Sequence, residues 1–227
     1  MSKNTEVFEH FVQTERQRGF SRDFLATWEQ CEFWDSVEVG QMRKNPRTFV
    51  VQEEDVLAYN KSLGETHPLF VDPEYARRHA PHGTIVVHPV FITTIAFWFA
   101  QPGDTGSWIR TPGARNPFQH IEIIEPIRVG DRLTQTQETS DRFWRRDKAY
   151  ITTHSILTDQ NGRKKVEFSG TLILPPTAND DQLFFTVGNP QKTVIIQPPD
   201  ISSPVPTFLA QRFSGFLGLV VITLHDR

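Results

Sequence analysis

Four strand-like runs that follow one apolar helix constrain the fold more than any other feature of this chain. Residues 90–98 carry apolar side chains on nearly every side, so they predict a helix that other elements enclose. The runs come after it, at 118–124, 132–143, 149–158 and 164–174. The last two are separated by Asp-Gln-Asn-Gly at 159–162, which is typical of a hairpin turn. This order predicts an α+β fold in which an antiparallel sheet wraps around a central apolar helix.

The two ends of the chain differ in composition from its middle. Phenylalanines at helical spacing predict two helices within residues 1–35. The middle adds a strand at 47–51 and a helix at 53–63, whose acidic first turn suits the positive end of the helix dipole. Proline-rich sequence and an apolar tail follow residue 176. We therefore expect a helical extension at 1–35, one main domain at 36–176, and a linker with a C-terminal arm at 177–227.

Shorter segments give weaker signals. Pro73 predicts the start of a short helix, because proline is tolerated in a first helical turn. Residues 103–117 are rich in glycine and proline and predict a loop.

Composition argues against several classes of function. A net charge of −3 and a pI near 6.2 leave no long basic stripe for nucleic acid. The single cysteine, Cys31, excludes an internal disulfide, and no apolar run reaches the roughly 20 residues of a membrane span. The histidines match no metal-ligand spacing. We expect a cytoplasmic protein with no metal, no cofactor, and neither nucleic acid nor membrane as a partner.

Two short motifs bring acidic and imidazole side chains towards the apolar helix. The first, Gly-Glu-Thr-His-Pro-Leu-Phe-Val-Asp at 64–72, is a predicted loop, and the second, Gly-Thr-Ile-Val-Val-His-Pro at 83–89, leads into the helix. Glu65 and His67 are two residues apart, so they can share a water molecule and influence each other's pKa. Carboxylates and imidazoles in such a setting are typical of general acid–base catalysis.

Structural interpretations of the same residues stand beside the catalytic one. His67 could cap a turn, and Glu65 could be a solvated loop acid. His88 precedes the apolar helix, where backbone N–H groups can polarise a carbonyl, but a purely structural histidine would fit there equally well. Asp72, directly before Pro73, is better interpreted as the N-cap of the next helix.

The two motifs resemble those of the MaoC-like hotdog dehydratases and (R)-specific enoyl-CoA hydratases, especially the fatty-acid-synthase-type dehydratase halves of two-hotdog proteins. The resemblance covers about 36–176 and implies a hotdog fold and chemistry that adds water to, or removes it from, an acyl thioester. The catalytic Asp of the family aligns with Glu65 and its Asn with His67. Its catalytic His aligns with Phe70, which cannot transfer a proton. His88 matches the turn histidine of the family.

The resemblance implies which residues meet the substrate. We expect His67 and Glu65 to act as the acid and base, with His88 as a third catalytic residue. Arginines near a strand turn could pair with coenzyme A or carrier phosphates, although exposed strand-end arginines usually hold no ligand. The expected substrate-contacting residues are Tyr59, Asn60, Phe70, Asp72, Phe91, Arg145 and Arg146.

The favoured expectation is a dehydratase or hydratase that acts on a β-hydroxyacyl or enoyl thioester, or on a related polyketide-type intermediate. Phe70 at the position of the family histidine favours an alternative, a non-catalytic hotdog subunit that completes the site of a partner. An isomerase or cyclase of secondary metabolism on the same scaffold is a further alternative. We expect a homodimer or a heteromer with another hotdog subunit, because the resemblance implies pairing and the apolar tail needs a surface to cover.

Overall fold

The computed structural model describes residues 14–16, 30–111 and 113–176, and the backbone of 219–224. The strands within these residues are β1 Arg43–Lys44, β2 Phe49–Val50, β3 Arg115–Ile123, β4 Arg132–Arg145, β5 Lys148–Thr158, β6 Lys164–Ile173 and β7 Leu219–Leu224. They form one sheet in the order β1-β4-β5-β6-β3-β7, with β2 also paired to β4. Neighbouring strands are antiparallel except β3 and β7, which are parallel.

Alternating burial explains why the second half of the main domain forms long strands. Every second residue of β5 is buried, which is the period of a strand with one face on the core. The hairpin predicted at 159–162 is confirmed. The Asp159 carboxylate accepts hydrogen bonds from the backbone N–H groups of Asn161 and Arg163 at 2.8 and 3.0 Å. Gly162 has a φ of +76°, in the region that favours glycine.

The helices of the described chain are α1 Glu53–Ser62, α2 Pro68–Val71, α3 Pro73–His79 and α4 Ile92–Phe99, with 3-10 turns at Pro89–Phe91 and Ser107–Arg110. The predicted helices at 53–63 and from Pro73 are confirmed. Asp72 is the N-cap of α3, as expected, because its Oδ1 accepts from the N–H groups of Glu74 and Tyr75 at 2.9 and 3.0 Å. Part of the loop predicted at 64–72 is helical instead, since Pro68 fits a first helical turn.

The central helix α4 packs on the inner face of the sheet, but it is not enclosed on every side. Ile92, Ile95 and Phe99 are buried in one core cluster with apolar residues of β3, β4, β5 and β6. Phe97, on another side of the helix, is 41% exposed. The prediction of a helix covered on nearly every side is therefore wrong for that face. A helix of about two turns presents only one side to a single sheet.

The segment at 103–117 is only partly the loop that its composition predicts. It contains the 3-10 turn Ser107–Arg110 and the first residues of β3. The pairing of β3 with β6 changes register between Arg115 and Phe118. Pro117 lies there and lacks the N–H that a ladder hydrogen bond needs. Glycine and proline thus mark an irregular entry into a strand as well as a loop.

The two boundaries of the predicted main domain meet in space. The backbone N–H groups of Trp34 and Asp35 donate to the carbonyls of Pro175 and Pro176 at 3.0 and 3.1 Å. Residues 31–35, the end of the predicted helical extension, form a bend and turns without α-helix. These contacts tie the end of the extension to the end of β6.

Most of the two predicted flanking segments lies outside the described residues, namely 1–13, 17–29, 177–218 and 225–227. Arg16 of the extension forms an ion pair with Asp55 at 2.6 Å, and its guanidinium lies 3.9 Å from the centroid of the Phe49 ring. In the predicted arm, the backbone of 219–224 forms the edge strand β7. No helix in the described part of the chain is long and apolar enough to cross a membrane.

Candidate active site

Asn60 holds the two sequence motifs together. It lies in the last turn of α1 and is fully buried. Its Nδ2 donates to the carbonyls of Phe70 at 2.8 Å and Val86 at 3.0 Å, one in each motif. The backbone carbonyl of Asn60 accepts a hydrogen bond from the backbone N–H of Glu65 at 3.2 Å. This predicted substrate-contacting residue therefore uses both donors of its amide within the fold.

Glu65 is hydrogen-bonded to its own loop. Its Oε1 accepts from the backbone N–H groups of Thr66 and His67 at 2.8 and 2.9 Å. The bond from His67 and then that from Thr66 lower the pKa of Glu65, and the nearby charges of His88 and His67 lower it further. Glu65 is therefore a carboxylate at neutral pH, where it can accept a hydrogen bond but has no proton to give.

His67 caps α2. Its Nδ1 accepts from the N–H of Leu69 at 3.2 Å, so the structural interpretation of this residue is correct as far as it goes. Because Nδ1 is an acceptor, the proton of the neutral ring lies on Nε2. The side chain is exposed, and Nε2 is the atom through which it can exchange a proton with a ligand.

His88 repeats this arrangement at the start of the central helical segment. Its Nδ1 accepts from the N–H of Val90 at 3.3 Å and caps the 3-10 turn that leads into α4. The ring is half-buried. As in His67, the cap places the proton of the neutral ring on Nε2.

Phe70 lies between the two imidazoles. Its ring centroid is 6.1 Å from that of His67 and 6.1 Å from that of His88. The Tyr59 ring is 6.5 Å from His88 and 5.1 Å from Phe91. Burial raises the pKa of Tyr59, whose hydroxyl donates to the Val90 carbonyl at 3.0 Å. We call this contiguous group the loop cluster; its members are Tyr59, Glu65, His67, Phe70, His88 and Phe91.

Besides Asn60, three predicted residues do not join the loop cluster. Asp72 is the exposed cap of α3. Arg145 and Arg146 lie at the tip of the β4–β5 hairpin, whereas Val86, beside His88, bridges to Arg128 just before the other end of β4. The fourteen residues of β4 span about 45 Å when extended, which separates the arginines from the cluster within one chain. Among residues 14–16, 30–111 and 113–176, no three His, Cys, Asp or Glu side chains are grouped as metal ligands.

A pocket lies between the C-terminal half of α4 and the inner face of the sheet. Its walls include Ala96 of α4 and its C-cap Ala100, Trp108, and Gln135 and Gln137 of β4, but no member of the loop cluster. The sequence motifs did not point to this pocket. A signal for it was nevertheless present, because both glutamines fall on the same strand alternation as the buried Leu133.

The architecture is that of the hotdog dehydratases. The structure is similar to that of the MaoC-like dehydratase from Rhodospirillum rubrum, with a TM-score of 0.54 and 17% identity over 64% of this chain and 98% of that one. It is also similar to the C-terminally truncated HadBC (3R-hydroxyacyl-ACP dehydratase) complex from Mycobacterium tuberculosis, with a TM-score of 0.52 and 20% identity over 61% and 98% of the chains. The predicted hotdog fold is confirmed.

The chain belongs to the family described as FAS1-like, dehydratase domain region, whose model matches residues 38–168. A UPF0336 protein of Clavibacter michiganensis is 29% identical over 132 residues, which cover 56% of this chain and 85% of the relative. The family resemblance carried by the two motifs is therefore confirmed.

Proposed function

We propose that this chain adds water to, or removes it from, an acyl thioester, as a hydratase or dehydratase of the MaoC-like hotdog type. The observation that carries the proposal is the loop cluster. In a chain of a dehydratase family, the two imidazoles lie near Phe70 at the start of the central helix. The Glu65 carboxylate is hydrogen-bonded to the backbone of His67. The proposed substrates are β-hydroxyacyl and enoyl thioesters or related polyketide-type intermediates.

In the hydration direction Glu65 is the base and His67 is the acid. The Glu65 carboxylate takes a proton from water as the water oxygen bonds to the β-carbon, and the Nε2–H of His67 gives its proton to the α-carbon. The proton on Glu65 then returns to Nε2 of His67, which restores both the carboxylate and the neutral ring. His88 donates from Nε2 to the thioester carbonyl, where negative charge develops. Dehydration follows the same steps in reverse.

The test is hydration of a crotonyl-type thioester by the purified chain alone. We expect His67→Ala to lower kcat/KM by about 10²- to 10⁴-fold, the usual contribution of a general acid or base. Glu65→Gln, which keeps the shape and removes the charge, lowers it as well. His82→Ala, an exposed loop histidine outside the loop cluster, is the matched control and leaves it unchanged. Full activity of both Glu65→Gln and His67→Ala would show that the assigned site is wrong.

A second candidate function is a hotdog subunit that completes the site of a partner. Phe70 at the position of the family histidine favours it, and so does the exposed Phe97 on α4, a surface that a second hotdog unit could cover. The HadBC neighbour is named as a complex. Binding of a crotonyl-type thioester by the wild-type chain without turnover would favour this function over autonomous catalysis. In both cases we infer that two hotdog units pair.

A further inference from the structure

The pocket beneath α4 is polar where a core is normally apolar. Gln135 and Gln137 point to the inner face of the sheet, and each is only 3% exposed. Buried glutamines are uncommon unless their amides are hydrogen-bonded. Their presence on consecutive inward positions of β4 therefore calls for a hydrogen-bonding partner in the pocket.

Strand register extends this polar surface across four strands. Thr139 pairs with Thr153, Thr153 with Gly170, and Gly170 with Gln119. This row runs beside Gln137, and Thr153, Gly170 and Gln119 line the pocket with it. Gly170 lines the pocket with its backbone alone, and a Cβ there would come within 3.1 Å of the Phe118 carbonyl oxygen. The pocket is thus a product of how the sheet is paired and does not depend on one loop.

Four lining side chains place a buried polar atom there without a hydrogen-bond partner in the described structure. Two are donors, the indole N–H of Trp108 and the Nε2 of Gln137, and two are acceptors, the Oδ1 of Asn116 and the Oε1 of Gln135. Such groups are costly when left unpaired, and they are satisfied in most proteins by protein, water or ligand.

Charge and size restrict the occupant. None of the lining residues is Asp, Glu, Lys, Arg or His, so a bound ion would be buried without a counter-charge. The cavity volume is about 30 Å³. That is room for about two water molecules, which need roughly 10–15 Å³ each, or for one compact group of a few bonded non-hydrogen atoms.

We propose that this pocket binds a small neutral group that both donates and accepts hydrogen bonds, such as a primary amide or an alcohol. The donors Trp108 and Gln137 pair with its oxygen, and the acceptors Asn116 and Gln135 pair with its N–H or O–H. The pocket lies at the opposite end of α4 from the loop cluster, and the inference does not rest on the proposed function.

The indole N–H resonance of Trp108 is a direct reporter of binding. The chain has five tryptophans, and Trp108→Phe identifies the resonance by its loss from the ¹⁵N–¹H spectrum. Acetamide is the probe, and acetate, of nearly equal size but charged, is its matched control. We expect the Trp108 resonance to shift saturably with acetamide and not with acetate, while the other indole resonances stay in place.

Gln137→Leu removes the amide with little change in size, and we expect it to weaken acetamide binding about tenfold, the effect of one buried hydrogen bond. Thr136→Val, the neighbouring position on the outer face of β4, leaves binding unchanged. Should Gln137→Leu fail to fold, Gln135→Leu makes the same test. A pocket that holds water only gives no saturable shift, and that result overturns the proposal, as does equal binding of acetate or binding that neither glutamine variant weakens. Because the readout needs no turnover, its outcome is separate from that of the thioester assay.

Discussion

Replacing Asn60 should destabilise the protein far more than an ordinary substitution near a helix end. Asn60→Leu keeps the approximate size of the side chain and removes the amide that donates to the carbonyls of Phe70 and Val86. A buried acceptor left without its donor costs about 1–3 kcal/mol. The substitution also removes the buried Oδ1, which has no partner in the described structure, and adds apolar contact. Both effects offset part of the cost of the two unpaired carbonyls. We therefore expect a net loss of about 2–4 kcal/mol in the free energy of unfolding.

Urea denaturation followed by tryptophan fluorescence measures this loss. Ser62→Ala is the control, because Ser62 lies at the end of the same helix but is exposed, and it should cost less than about 0.5 kcal/mol. An unchanged m-value would show that the unfolded state is unaffected. If Asn60→Leu costs under about 1 kcal/mol, the two carbonyls have other partners and Asn60 does not hold the motifs together. A large cost should be accompanied by loss of thioester hydration, since the same bonds position the loop cluster.

Three further predictions follow from buried or exposed groups. Lys165→Met should lower the free energy of unfolding, measured in urea, by about 3 kcal/mol. The fully buried ammonium lies 3.5 Å from the Asp131 carboxylate, which would lose its cationic partner. An unchanged midpoint of urea denaturation would contradict this. Burial opposes ionisation of Asp159, but hydrogen bonds from Arg163 and Asn161 outweigh it and lower the pKa to about 2 from 3.8. The stability that this carboxylate contributes is therefore present above pH 3.8 and is lost as the pH falls through about 2. The stability difference between wild type and Asp159→Asn should disappear over that interval, and a constant difference would refute the assignment. Under the proposed pairing through α4, Phe97→Glu should make the chain monomeric in light scattering, whereas Val39→Glu, at a residue 46% exposed elsewhere, should not.

The sequence predicted the fold well because periodicity reports which face of an element meets a core. The strands β4 and β5 and the hairpin at 159–162 could be predicted from residues that are close together in the sequence. The exposure of Phe97 could not be predicted in the same way. Hydrophobic spacing shows how apolar α4 is, but not how many of its sides the rest of the chain covers. The early start of β3 was missed for a local reason, since Pro117 is a loop signal that here lies within an irregular strand.

The candidate site was predictable only in part. The spacing of Glu65 and His67 placed them together. The bonds that bring His88 to them come from Asn60 and from the Val86 N–H to the Leu69 carbonyl, and no motif indicated them. Arg145 and Arg146 were predicted to contact the substrate, and the length of β4 places them far from the loop cluster within one chain. Strand alternation could have predicted that Gln135 and Gln137 face inwards. The sequence of one strand does not show, however, that Gly170 of β6 lies in the same pocket.

Capping and catalysis need not be alternatives for His67. The cap uses Nδ1, fixes the orientation of the ring, and leaves Nε2–H for a ligand, so a structural role prepares the chemical one. His67→Asn separates the two roles, because Asn is a good N-cap and is also the residue that the resembling family has at this position. We expect the free energy of unfolding of this variant to lie within about 0.5 kcal/mol of the wild-type value. Its turnover of a crotonyl-type thioester should fall at least about 10²-fold. His67→Ala should lose both stability and turnover. If His67→Asn keeps full turnover, the imidazole serves only as a cap, and the proton must be transferred by another group of the loop cluster.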